Sequence, residues 1–80
     1  MPKRIIPQFS ERQIQIFNAS IKLIGEGGIQ TLTTKNLAKE IGISEAAIYR
    51  HFSSKVEILK GLLAYLKIGT VKRLKRVLNE

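Results

Sequence analysis

Apolar residues recur along this chain with a helical period. Ile14, Phe17, Ile21 and Ile24 are spaced 3, 4 and 3 apart, which places them on one face of a helix. Ser10 precedes that run with Gln13 three residues on, the pattern of a capping box, and Phe9 is placed to staple onto Ile14. Gly25, Gly27 and Gly28 end the run, with Gly28 expected as a left-handed cap and Ile29 packing behind it. The first helix is therefore expected over residues 11–26. A shorter stripe of Leu37, Ala38 and Ile41 follows, with Thr33 as cap and Gly42 as stop, predicting a helix over 34–41. Ile43 turns back to the core and Ser44 caps a third helix over 45–51. Two short helices joined by a tight turn containing Gly make a helix-turn-helix. Ser54, with Glu57 at the capping-box position, opens a fourth helix over 55–78 whose inward face offers Leu59, Leu62 or Leu63, and Leu66. Gly61 and Gly69 each weaken that helix by about 1 kcal/mol relative to Ala. One continuous helix is expected, the alternative being a break at Gly69-Thr70. The fold class that follows is all-α, a helix bundle with a homeodomain-like three-helix core and a long fourth helix.

Composition narrows what such a bundle does. Of 80 residues, 44% are apolar, enough for one modest core that buries roughly 60% of the unfolded surface. There is no Cys, no Asp, no Trp and one His. Disulfide frameworks, Cys-based zinc sites, thiol nucleophiles and a Ser-His-Asp triad are thereby excluded. No paired carboxylates, phosphate loop or metal cluster can be assembled, so the chain reads as a non-enzyme without cofactor or metal. No apolar run approaches the roughly 20 residues of a membrane helix, and the expectation is a soluble, cytoplasmic module.

Charge supplies the partner. Fourteen Lys or Arg residues oppose six Glu, a net +8, and residues 67–80 alone hold five basic residues against one Glu. Nucleic acid is the commonest polyanion bound by so basic a module. The chain divides into a flexible basic arm over residues 1–9, a helix-turn-helix domain over 10–66, and a basic continuation of the fourth helix over 67–80. In that last stretch the apolar residues face a partner helix and the basic ones solvent. An anionic membrane surface would fit it as well.

At Leu37-Ala38-Lys39-Glu40-Ile41-Gly42-Ile43-Ser44-Glu45-Ala46-Ala47-Ile48-Tyr49-Arg50-His51-Phe52 the sequence resembles the DNA-binding domain of the TetR family of bacterial transcriptional regulators. The match extends through Thr33-Thr34 on one side and Ser54-Lys55-Val56-Glu57-Ile58-Leu59 on the other, about residues 10–66 in all. The resemblance implies a regulator, a repressor by family habit, that binds a palindromic operator in double-stranded DNA. It also implies a larger second domain that binds a small-molecule inducer and forms the homodimer. Nothing within these 80 residues corresponds to that domain, so monomer or weak dimer is the expectation for this chain. The run Ser44-Glu45-Ala46-Ala47-Ile48-Tyr49-Arg50-His51-Phe52 also resembles the nucleoid-occlusion branch of the family, whose members bind DNA and a division protein. A membrane-surface or protein-interaction module is the alternative from another class.

Helical geometry distributes the roles on the third helix. With Ile48 pointing inward, Ala46 and Arg50 lie opposite, at about 160° and 200°, and Tyr49 and Ala47 about 100° to either side. His51 and Ser44 sit nearer the core edge, against the sugar-phosphate walls of a groove. Glu45, Ala46, Tyr49 and Arg50 are the candidate base readers. Arg50 suits guanine O6 and N7, Glu45 suits cytosine N4, and Ala46 and Tyr49 suit a thymine methyl. Candidate phosphate ligands are Ser44, Ala47, His51 and Lys55, together with Thr34 and Lys35, which the resemblance assigns to the DNA backbone. Lys55 stands in the first turn of its helix, where the dipole disfavours a cation and a phosphate would offset that. Lys3 and Arg4 in the arm can follow the minor groove.

Overall fold

The computed structural model describes residues 9–78, and the side chains of residues 9–67. The arm carrying Lys3 and Arg4 lies outside the described residues. Among the described residues four α-helices run in order: α1 (Glu11–Gly27), α2 (Thr34–Ile41), α3 (Glu45–Tyr49) and α4 (Lys55–Leu78), with a 3-10 turn at Ile29–Thr31 between α1 and α2. No strand occurs among the described residues. The all-α, helix-turn-helix reading holds, and α4 passes through Gly69-Thr70 without a break.

The expected capping box closes α1: the Gln13 N–H donates to Ser10 Oγ at 3.1 Å, and the Ser10 N–H donates to Gln13 Oε1 at 2.9 Å. Two of the orphan donors of the first turn are thereby satisfied. Phe9 meets the Phe17 ring edge-on, with centroids 4.9 Å apart. The buried face of α1 is rotated from the expected one by about 100°. Ile16, Phe17, Ala19 and Ser20 are buried, whereas Ile21 is 41% exposed. Ser20 explains the difference. Its hydroxyl donates to the Ile16 carbonyl at 2.8 Å, so a polar residue sits in the middle of the core face with its hydrogen bond satisfied.

The end of α1 also departs from expectation. Gly28 has φ 92° and ψ 170°, which is not the left-handed helical conformation. It leads into the 3-10 turn, so Ile29 is left 51% exposed and Leu32 takes the fully buried place. The Thr31 hydroxyl lies 2.8 Å from the Leu23 carbonyl and 2.7 Å from that of Gly28, and seals the last turn. Across the bundle, the Lys22 ammonium donates to Glu40 Oε2 at 2.6 Å, joining α1 to α2. That hydrogen bond, then the charge of Glu40 and of Glu26, raises the Lys22 pKa above its ordinary value against a small opposing desolvation. A raised ammonium pKa stabilises the fold below the ordinary value and ceases to do so as the pH rises through the raised one. The contribution is therefore present at neutral pH and is lost in strong alkali.

On α4 the inward residues are Ile58 and Leu62, with Leu59 and Tyr65 half-buried, while Leu63 is 69% and Leu66 44% exposed. The helix is thus turned so that Tyr65 reaches α1, where its hydroxyl donates to Asn18 Oδ1 at 3.1 Å. The glycine at 61 has a packing reason. A Cβ there would stand 2.8 Å from Phe17 Cζ and 3.4 Å from Phe52 Cε1. Gly61→Ala is therefore expected to destabilise the domain by about 1–2 kcal/mol, because overpacking outweighs the gain in helix propensity. Gly25→Ala, where a Cβ meets nothing within 4 Å, should instead stabilise it by up to about 1 kcal/mol. Urea unfolding of the two variants beside the parent chain checks both signs.

Candidate nucleic-acid interface

The surface around α3 is assembled by three short-range devices. Thr33 caps α2 by accepting from the Asn36 N–H at 3.0 Å. Gly42, at φ 85° and ψ 34°, ends α2 in the left-handed conformation and donates to the Ala38 carbonyl at 2.8 Å. A side chain at this position would be strained. Ser44 then caps α3, its Oγ accepting from the Ala47 N–H at 3.1 Å. That bond uses an oxygen lone pair and leaves the Ser44 hydroxyl proton available to donate outward.

Ile48 is fully buried, which fixes the rotation of α3. Ala46 and Arg50 are exposed on the opposite side, Ala47 is half-buried, and Tyr49 is 51% exposed. Tyr49 is thus presented to solvent beside Ala46 and Arg50.

Helix α3 is two residues shorter than expected, ending at Tyr49 rather than at 51. The Arg50 N–H still reaches the Ala46 carbonyl at 3.1 Å, but the His51 N–H bonds Ile48 at 3.0 Å, a tighter turn. Phe52 is the cause: it must turn into the core, where it is buried against Phe17 at a centroid distance of 5.4 Å. His51 is half-buried and lines an open groove with Gln13, Ser53, Glu57 and Lys60. Lys35 and Lys55 are exposed at the first turns of α2 and α4. Ser54 holds the start of α4 by accepting from the Glu57 N–H at 3.3 Å.

Three of the candidate residues are brought into one hydrogen-bonded chain that the sequence alone did not reveal. Thr34 Oγ1 donates to Glu45 Oε1 at 2.9 Å, and the Tyr49 hydroxyl lies 3.4 Å from the same Thr34 oxygen. A threonine hydroxyl has one proton. With that proton directed at Glu45, the Tyr49 O–H is the donor to Thr34. The direction is therefore Tyr49 to Thr34 to Glu45, linking the first residue of α2 to both ends of α3. The contacts, 11 and 15 residues apart, join two different helices, so the spacing rules that hold within one helix could not have found them. Among the described residues no group of His, Cys, Asp and Glu could hold a metal ion, and no helix is long and apolar enough to cross a membrane.

Comparison with known proteins agrees with this geometry. The family described as bacterial regulatory proteins, tetR family, matches residues 16–62, which contain α2, α3, the turn between them and the Thr34–Glu45–Tyr49 hydrogen bonds. The chain is 38% identical over 72 residues to a protein named nucleoid occlusion factor SlmA from Vibrio atlanticus, covering 89% of this chain and 37% of that protein. It is 35% identical over 71 residues to the Marinomonas sp. protein of the same name, covering 89% and 36%. It is 35% identical over 75 residues to that of Aliivibrio fischeri, covering 92% and 38%. The chain thus spans a little over a third of the length of these curated relatives. No solved structure gives a significant match. With an all-helical fold, a Gly-centred helix-turn-helix and a family match across more than half of its length, the chain belongs to the TetR family of bacterial regulatory proteins.

Proposed function

We propose that this chain binds double-stranded DNA by placing α3 in the major groove, and that it is the DNA-reading part of a transcriptional regulator acting as a repressor. The observation that carries the reading is the two-sidedness of α3 within a TetR-type domain. Ile48 is fully buried, while Ala46, Tyr49 and Arg50 are exposed together on the other side. Glu45, Ala46, Tyr49 and Arg50 read base edges. Thr34, Lys35, Ser44, Ala47, His51 and Lys55 meet the sugar-phosphate walls, and Lys3 and Arg4 add contacts from the arm. A net charge of +8 provides the sequence-independent part of the affinity through counterion release. Specificity then comes from the few groups on α3. The protein works in the cytoplasm at the nucleoid, as a homodimer on a palindromic site when its full length is present. Response to a small-molecule inducer belongs to sequence outside these 80 residues.

A second reading is favoured by the names of the relatives. Several proteins called nucleoid occlusion factor are 35–38% identical across about nine-tenths of this chain. Under this reading the same α3 surface recognises sites distributed along the chromosome, and the consequence is control of division rather than of one promoter. Duplexes selected from a random pool by this chain, mapped back onto the genome that encodes it, separate the two. Sites confined to one or two promoters support a repressor, and sites spread over much of the chromosome support nucleoid occlusion.

Lys55→Ala should weaken binding to selected and unrelated duplexes alike, and lower the slope of log affinity against log salt by about 1. A titration series from low to moderate salt measures it. Arg50→Ala should behave differently, costing roughly 1–3 kcal/mol at a site containing its guanine and relaxing the preference there. Repeating the selection with the variant reports the change in preferred sequence, and a uniform loss with the same preference would make Arg50 a phosphate contact. Sedimentation equilibrium at micromolar concentration without DNA should give a monomer or a weak dimer for this chain. A tight dimer would place a dimer surface within these 80 residues.

A further inference from the structure

The hydrogen-bonded chain of Tyr49, Thr34 and Glu45 sets two demands on one proton. Thr34 opens α2 and is half-buried, so its hydroxyl is the group a DNA phosphate would meet there. In the structure that proton is directed at Glu45 Oε1, 2.9 Å away. A phosphate oxygen arriving at Thr34 must take the proton from the carboxylate, and must then stand close to a carboxylate of the same sign. Both effects oppose the contact, since hydrogen bonds to ionised acceptors are the stronger ones and like charges brought together repel. The Tyr49 hydroxyl, 3.4 Å from Thr34, shares in the rearrangement, so a phosphate on α2 disturbs a group on α3.

We infer that Glu45 is a specificity-determining residue. Its carboxylate holds the Thr34 hydroxyl within the protein, so that gripping the backbone alone is penalised. A base donor facing Glu45, such as the amino group of cytosine, relieves the penalty by supplying the carboxylate with a replacement hydrogen bond. The residue thus discriminates chiefly by weakening wrong complexes, the repulsive half of specificity. This rests on the reading of α3 as the DNA-contacting helix. It also explains an acidic side chain at the centre of a surface whose other candidate charges, Lys35, Arg50 and Lys55, are all positive.

The test uses the duplex recovered by selection from a random pool and a scrambled duplex of equal length and composition. Affinities are measured at fixed moderate salt for the parent chain, Glu45→Gln, Thr34→Val, Thr34→Ser, and each Thr34 variant combined with Glu45→Gln. Circular dichroism and melting confirm that each is folded. Glu45→Gln keeps the shape and removes the charge. It should tighten the scrambled duplex by about fivefold, what a hydrogen bond to an ionised acceptor is worth beyond one to a neutral acceptor, and tighten the selected duplex less, so that their ratio falls. In the Thr34→Val background that gain should shrink to below about twofold, and in the Thr34→Ser background, which retains the hydroxyl, it should return. Equal tightening on both duplexes would overturn the inference, leaving Glu45 a general charge. A gain undiminished by Thr34→Val would overturn it too, because the shared proton would play no part. Failure of the parent chain to bind any duplex above background would instead overturn the DNA-binding reading itself, and this inference with it.

Discussion

The packing around the Phe17 ring sets most of the rest of the structure. The ring is fully buried and meets Phe9 edge-on, Phe52 at a tilt and Tyr65 stacked, with centroids 4.9, 5.4 and 5.2 Å away. Those partners come from the chain entering α1, the segment after α3, and the middle of α4. One side chain therefore joins three separate parts of the sequence. Such aromatic pairs contribute about 0.5–1.5 kcal/mol each beyond the area they bury, a large share of what so small a core provides. The absence of a side chain at Gly61 is part of the same arrangement, because the Phe17 ring occupies the space a Cβ would fill, with Phe52 in contact beside it. Helix propensity at position 61 is given up for ring packing.

From that cluster the geometry passes to the surface proposed to face DNA through Phe52. Because Phe52 must reach Phe17, α3 stops at Tyr49 and the chain tightens at His51. A five-residue helix has no stability of its own, since nucleation is unfavourable at that length. It persists because Ser44 caps it, the Gly42 turn delivers it from α2, and Ile48 anchors it at the fully buried point between. Every residue proposed to read bases lies within two or three positions of Ile48. Small core movements would then be transmitted directly to Tyr49 and Arg50, without a long lever to absorb them.

How much of this was legible in the sequence depends on the kind of signal. Caps and turn glycines act over three or four residues, and Ser10–Gln13, Thr33, Gly42 and Ser44 all hold the places their local chemistry implies. The helix-turn-helix was legible for the same reason, as was the inward direction of Ile48. The buried faces of α1 and α4 were less so. Hydrophobicity alone chose Ile21 over Ser20 and Leu66 over Tyr65, yet Ser20 satisfies its hydroxyl within its own helix and Tyr65 satisfies its own on Asn18. A polar atom with a partner in the fold looks like a surface residue in one dimension. Helix α3 was overextended because nothing local to His51 marks the pull of Phe52 on a distant ring. The Thr34–Glu45–Tyr49 chain was invisible for a related reason: each member was a plausible contact singly, and only the packing of α2 on α3 makes them one group.

That coupling bears on how a small, strongly basic domain can discriminate at all. A net charge of +8 draws any duplex, and each phosphate neutralised strengthens binding to every sequence equally. Adding cations near α3 would raise affinity without raising the ratio of right to wrong sites, and it is the ratio that matters against a chromosome of competing sites. A surface of this kind gains selectivity when some of its polar groups are committed to one another and released only by the correct base edge. The hydroxyls of Thr34 and Tyr49 and the carboxylate of Glu45 are committed to one another in the structure, because their two hydrogen bonds share the Thr34 oxygen. With α2 and α3 tied through that oxygen, the contacts proposed for the backbone and for the bases would become one event rather than two. A five-residue helix, too short to persist by itself, thereby gains a tie to α2 on the face proposed to meet DNA.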